Sequence, residues 1–286
     1  MRHSRYKKVG QSPAVKRGLL AHVAPFWPAI QKAAAASLKQ KPSGFLPPPD
    51  QRSLLGAGFW GCVWPTADKR FVIKASVDLT EGPHVALAMK LFPKHPGMAY
   101  YHRIWRLPQR VWTNEQGYSW VWIMLREETD VDSIWRGVSP APGYRKIHAG
   151  LDALPECCGC LHQERALARQ TCDGQDVQLA EHELAKILKQ VGSPASSKGK
   201  YVASLIGDAY KKHGILLGDV HFGNVGLRRH DLSKFGVKRH RDLVVTDLGD
   251  LGQAPRGMGG YPDVPEIRKN PGLYQRLFDE IPVLRP

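Results

Sequence analysis

The sequence has no apolar run of about eighteen residues, the length needed to cross a bilayer, so no membrane contact is expected. Cysteine is scarce and odd in number, five in 286 residues, which argues against a disulfide-built scaffold and for reduced thiols. No secretory leader is expected either: residues 1–8 are basic, but the apolar stretch after them is interrupted by His22, Pro25 and Pro28. The expected address is the cytoplasm. Acidic residues are the remaining deficit, 26 Asp and Glu against 41 Lys and Arg, for a net charge of +15. Such a surplus attracts polyanions, whether nucleic acid, acidic protein segments or a nucleotide triphosphate. No nucleic-acid recognition motif accompanies the charge, and a solvated basic surface is the ordinary alternative.

What is present is unevenly spread. Residues 1–50 carry nine Lys or Arg and one acid, Asp50, and read as a basic appendage. It would hold an Ala-rich helix over 29–40 and a semi-rigid linker around Pro47, Pro48 and Pro49. A second basic cluster, Arg228, Arg229, Lys234, Lys238, Arg239 and Arg241, falls in 228–241. These two segments are the expected polyanion contacts. Strand character starts at Leu54, continues through the β-branched run ending at Lys74, and returns at 106–113 and 118–126. The second of these late strands is apolar on both faces, as a central strand would be. A helix is expected over 80–91, stopping before Pro93, and others over 180–191 and 201–213, the last capped by Gly214. Short strands follow at 224–227 and 243–246. The order predicts an α+β chain with an extension at 1–50, a sheet-rich part at 51–128 and a helix-rich part at 129–286, without internal repeats.

Three motifs carry chemistry, in an informative order. In the first, Gly56, Gly58 and Gly61 precede a strand that ends in Lys74. Glycines at this spacing let backbone N–H groups approach phosphate oxygens, and the lysine adds a cation. A dinucleotide-binding turn would instead be followed by a helix, and an ordinary Gly-rich hairpin is the plain alternative. In the second, Asp219 and Asn224 lie on a loop between a helix and a strand, with His221 between them. There a carboxylate could orient a hydroxyl and an amide oxygen could hold Mg²⁺; Asp and Asn also cap ordinary turns. In the third, the strand at 243–246 delivers Asp247 just before Gly249, which suits a metal ligand and is also a common strand end.

Taken together and in this order, these residues resemble the protein-kinase-like superfamily over roughly 51–250. The loop from Gly218 through Asp219 and His221 to Asn224 is most similar to the aminoglycoside-phosphotransferase-like bacterial kinases, and to the kinase domains of phage and mobile-element polyvalent proteins. The resemblance implies a bilobal fold, with a small antiparallel-sheet lobe holding one helix and a reduced helical lobe. It implies ATP and Mg²⁺ as cofactors, Asp219 as catalytic base, Lys74 on the phosphates, and Asn224 and Asp247 as Mg²⁺ ligands. Leu55, Gly56, Gly58, Gly61 and Val63 would cover the nucleotide, and the backbone near Leu125 and Glu127 would meet adenine. A helix glutamate should pair with Lys74, and Glu81 is the candidate, closer in sequence than these families place it. Leu217 stands where many kinases have His, and no eukaryote-like peptide platform is expected after Asp247.

The expected activity is therefore phosphoryl transfer to a hydroxyl. A protein kinase of bacterial or phage type comes first, acting in the host cytoplasm if phage-encoded. A small-molecule kinase of the aminoglycoside-phosphotransferase type is the alternative. The non-enzymatic reading is a pseudokinase or structural module docking on nucleic acid or a capsid through its basic segments. Cys157, Cys158, Cys160, His162 and Cys172 could hold zinc, although the irregular second half of that set fits plain thiols better. Trp120 and Trp122 read as core and Trp60 as a phosphate shield.

Overall fold

The computed structural model describes residues 13–40, 54–57, 60–113, 117–130, 200–213, 224–238, 243–248 and 272–286. The expected helix at 180–191 and the Cys157–Cys172 cluster lie outside them. The protein is a mixed α+β chain with antiparallel sheets. It divides into two units. One comprises Met1–Gly82, Tyr101–Glu128 and Phe278–Pro286, and the other Pro83–Tyr100 and Thr129–Leu277.

In the first unit, α1 (Pro13–Val23) and α2 (Trp27–Ser37) precede β1 (Gly56–Ala57), β2 (Gly61–Pro65), β3 (Phe71–Ser76), β4 (Tyr101–Thr113) and β5 (Gly117–Glu127). The strands form one antiparallel sheet in the order β1-β2-β3-β5-β4. The start of α3 (Glu81–Leu91) also belongs here. Side chains alternate across a strand, so Trp64 and its partner Ile73 face one side while Val63, Lys74 and Met124 face the other.

The helices at the amino-terminal end cover the Trp64 side. The rings of Trp27 and Trp64 lie 5.4 Å apart, and His102 Nε2 sits 3.0 Å from the Ser37 carbonyl oxygen. Val23 and Ile30 are fully buried, each contributing roughly 1.5–3 kcal/mol. Of the expected extension at 1–50, the stretch from Leu19 to Leu38 packs against this side of the sheet. Pro25 and Pro28, which interrupt the apolar pattern, sit in the first turns of a 3₁₀ segment (Ala24–Phe26) and of α2. A missing N–H costs nothing there.

β4 starts at Tyr101 rather than at 106. It passes Pro108 through a register shift between Arg106 and Arg110, and an edge strand can absorb a proline in that way. Part of this edge is covered by the chain's last residues. Arg106 N donates to Pro282 O at 2.9 Å, and Leu284 N donates to Arg106 O at 2.8 Å, making a parallel bridge.

The second unit contains the rest of α3, α4 (Lys200–His213) and a three-stranded antiparallel sheet of β6 (Thr129–Asp130), β7 (Val225–Arg228) and β8 (Leu243–Val245). α5 (Gly272–Glu280) crosses from this unit into the first at Phe278. Residues 97–99 run parallel to β8, with Ala99 N donating to Val245 O and Val245 N to Gly97 O, both at 2.8 Å. A Cβ at Gly97 would come within 1.9 Å of the Tyr201 carbonyl oxygen, so glycine is what lets α4 lie against this segment. Among the described residues no helix is long and apolar enough to cross a membrane.

Candidate functional site

Lys74 lies in the middle of β3, flanked across the sheet by Val63 and Met124, and is 7% exposed. Its ammonium group is ion-paired with the Glu81 carboxylate, itself 2% exposed, in the first turn of α3. Two buried charges are tolerated only when each neutralises the other, so the pair fixes the direction of the lysine side chain. The close spacing in sequence is spanned because the strand ends at Ser76 and turns directly into the helix.

That turn is tightly made. Asp78 Oδ1 accepts hydrogen bonds from Thr80 N at 2.9 Å and Thr80 Oγ1 at 3.0 Å, while Ser76 Oγ accepts from Asp78 N at 3.2 Å. From the neighbouring strand, Trp122 Nε1 donates to Asp78 O at 2.7 Å. The Trp122 ring lies against Gly82, the residue after the glutamate. Trp122 reads as plain core in the sequence, and its support of the Lys74–Glu81 pair could be found only from coordinates. The sequence signal for the turn itself, an Asp two residues before a Thr at a helix start, was available.

The glycine hairpin borders the same ladder. Gly56 on β1 pairs with Val63 on β2, which pairs with Lys74 on β3. Leu55 N donates to Val63 O at 2.9 Å, leaving the Leu55 side chain 54% exposed. A Cβ at Gly61 would approach Ala75 O to 2.8 Å and Lys74 Cε to 3.3 Å, so only glycine fits beside the lysine stem. Leu125 and Glu127 are fully buried on β5, opposite Ile73 and Phe71. Trp60 is half-buried, and its carbonyl accepts from Val77 N at 2.9 Å. Gly58 lies outside the described residues.

In the second unit, β7 and β8 set two further candidates side by side. Val225 pairs with Val245, and Thr246 N donates to Asn224 O at 2.7 Å, so Asn224 and Asp247 occupy the same end of a two-stranded ribbon. Both are partly accessible. Their carbonyl and carboxylate oxygens suit a hard cation, which is commonly held by one or two side chains together with phosphate oxygens. Asp219 and His221 lie outside the described residues.

The second basic cluster is smaller than the charge count predicts. Arg228 is 1% exposed, and its guanidinium is spent on the Met98 carbonyl oxygen at 3.0 Å and the Pro96 carbonyl oxygen at 3.5 Å. Arg229 is paired with Asp130. Arg228 is thus buried away from any polyanion, whereas Arg229, Lys234 and Lys238 are exposed and Arg239 and Arg241 lie outside the described residues. Among the described residues no three His, Cys, Asp or Glu side chains gather as a metal site, and Cys62 is buried and outside any disulfide. Trp122 is core as expected, whereas Trp120 is half-exposed.

No protein-family model matches the chain, and comparison with curated proteins gives no match.

Proposed function

We propose that this chain is an ATP- and Mg²⁺-dependent phosphotransferase with a bilobal protein-kinase-like fold, acting on a hydroxyl acceptor. The observation that carries the reading is the buried Lys74–Glu81 ion pair, set beside a glycine hairpin on an antiparallel sheet. A lysine held by one carboxylate and bordered by Gly61 has its charge aimed and its flank cleared, as phosphate binding requires. Lys74 and the backbone at Gly56 and Gly61 would hold the nucleotide phosphates. Asn224 and Asp247 would hold Mg²⁺, and Asp219 would orient the acceptor hydroxyl. ATP would supply the phosphoryl group, and the metal would neutralise phosphate charge.

A protein acceptor is favoured because the described surface stays basic after the buried Arg228 is discounted, and cationic small substrates need acids around them. The test is transfer from γ-labelled ATP to a host protein mixture, to aminoglycosides, and to the chain itself, with Asp219→Ala as control. Label on proteins that disappears in Asp219→Ala supports the reading, label on aminoglycosides moves it to a small-molecule kinase, and equal label from both forms removes Asp219 from the mechanism. No nucleotide binding by the wild-type chain overturns it.

A further inference from the structure

Beyond Trp122 the first unit's sheet narrows to two described strands. β3 pairs with β5 only as far as Ser76 and Trp122, while β4 and β5 continue together to Thr113 and Gly117. Because side chains alternate, the cross-strand pairs Arg110–Trp120 and Trp112–Tyr118 share one face of this ribbon. On it the Arg106 guanidinium lies between two rings, 4.3 Å from the Phe278 centroid and 5.0 Å from that of Trp120. Arg110 stacks on Trp120 as well, at 4.7 Å. The array runs on to Trp112 and Tyr118, whose rings meet at 5.0 Å and 75°.

Those last two rings are 61% and 63% exposed, so most of the stabilisation that burial would give them is forgone. Arg110 is also exposed, and neither β4 nor β5 as far as Leu125 contains an acid. Open aromatic faces interleaved with guanidinium groups are the chemistry that accepts unpaired bases on the rings and phosphates on the cations. A duplex keeps its base faces stacked inside and offers them nothing. An acidic peptide would use the cations and leave the rings without a partner.

We propose that this face of the β4–β5 ribbon is a docking surface for single-stranded nucleic acid. Trp112 and Tyr118 stack on bases, Arg110 meets the phosphates, and the net charge of +15 supplies the long-range attraction. The inference does not depend on the phosphotransferase reading, and its test does not use that activity.

The test is fluorescence anisotropy of the full chain with labelled oligo-dT and oligo-U of twenty nucleotides, a duplex of the same length, and poly-glutamate as competitor. Trp112→Ala with Tyr118→Ala is expected to weaken single-strand binding about tenfold or more. Trp112→Phe with Tyr118→Phe, which keeps the ring faces, should bind within about threefold of wild type. A control removing two exposed cations elsewhere, Lys32→Ala with Lys69→Ala, should lower affinity only through its salt dependence. If the alanine pair fails to fold, Arg110→Ala and the phenylalanine pair still decide the matter. Wild-type affinity in both the alanine pair and Arg110→Ala would overturn the proposal, as would equal binding of duplex and single strand, or displacement by poly-glutamate at equal charge.

Discussion

Gly82 and Trp122 are packed so closely that a Cβ on the glycine would stand 2.2 Å from the indole ring. The same indole holds the Asp78 carbonyl oxygen, so a residue on β5 fixes where α3 begins and hence where Glu81 meets Lys74. Gly82→Ala should displace the helix start, at a cost of about 1–3 kcal/mol by overpacking. Trp122→Phe keeps most of the packing but loses the hydrogen bond, a change of about 1 kcal/mol. Both are expected to lower nucleotide affinity at a temperature where each variant is still folded, measured by calorimetric titration beside thermal unfolding. Unchanged affinity in both would separate Trp122 from the site.

Lys74→Met leaves the Glu81 carboxylate buried without its ammonium partner and should cost about 3–5 kcal/mol. Pairing it with Glu81→Leu should restore much of that stability, because an apolar pair of similar size needs no desolvation. Nucleotide binding should stay lost in the double variant. Urea unfolding and titration with a non-hydrolysable ATP analogue, run on the three proteins, give the comparison. Recovered binding in the double variant would make the pair purely structural.

Asp68 reports on pH. Its carboxyl receives Arg70 Nη2 at 2.6 Å, Arg70 Nε at 2.8 Å and Gln40 Nε2 at 2.6 Å, tying the end of α2 to the β2–β3 turn. The Arg70 side-chain hydrogen bonds, against the opposing effect of burial, lower its pKa from 3.8 to about 2. The unfolded chain therefore takes up this proton first on acidification. The contribution is complete above the unfolded value and disappears as pH falls from near 4 towards 2. Asp68→Asn should be less stable than wild type at pH 7 and converge with it near pH 2, by urea unfolding at several pH values.

Phe278 meets Trp120 at 5.8 Å and Trp122 at 5.9 Å, the second contact edge-on at 90°. Phe278→Ala should cost about 1–2 kcal/mol for a half-buried ring. Removing residues 281–286 should expose the Arg106 amide, whose described acceptor is Pro282 O. Hydrogen exchange at that amide, slow in the full chain and fast in the shortened one, is the expected outcome.

His95 shows a pH effect in the second unit. Its Nδ1 accepts from Gly97 N at 3.0 Å, and Nε2 lies 3.4 Å from Asp208. Burial lowers its pKa, only partly opposed by the Asp208 charge. The neutral ring is thus favoured in the fold. Its stabilising contribution is present above the unfolded value of 6.5 and is lost on acidification below it, so His95→Asn should flatten the stability profile on the acid side of that value.

The strand that carries Lys74, the helix that opens with Glu81 and the paired strands that begin after Asn224 and end before Asp247 were all legible, because period-two and helical patterns are local. The N-terminal helices were half missed, because Pro25 and Pro28 read as breakers and only packing against Trp64 shows them as helix starts. β4 was expected over 106–113, already across Pro108, and in the structure begins five residues earlier at Tyr101. Charge counting failed at Arg228, whose burial depends on carbonyl groups more than a hundred residues earlier.

By itself the sequence determined which residues carry charge and where most of the strands and the helices α3 and α4 lie, since these follow from residue type and near-neighbour spacing. Only the tertiary structure decided that Trp122 stands under Gly82, that Phe278 and two arginines stack on Trp120, and that Trp112 and Tyr118 stay open to solvent. Those relations join residues distant along the chain, and packing across a sheet face sets them with no local sequence signal.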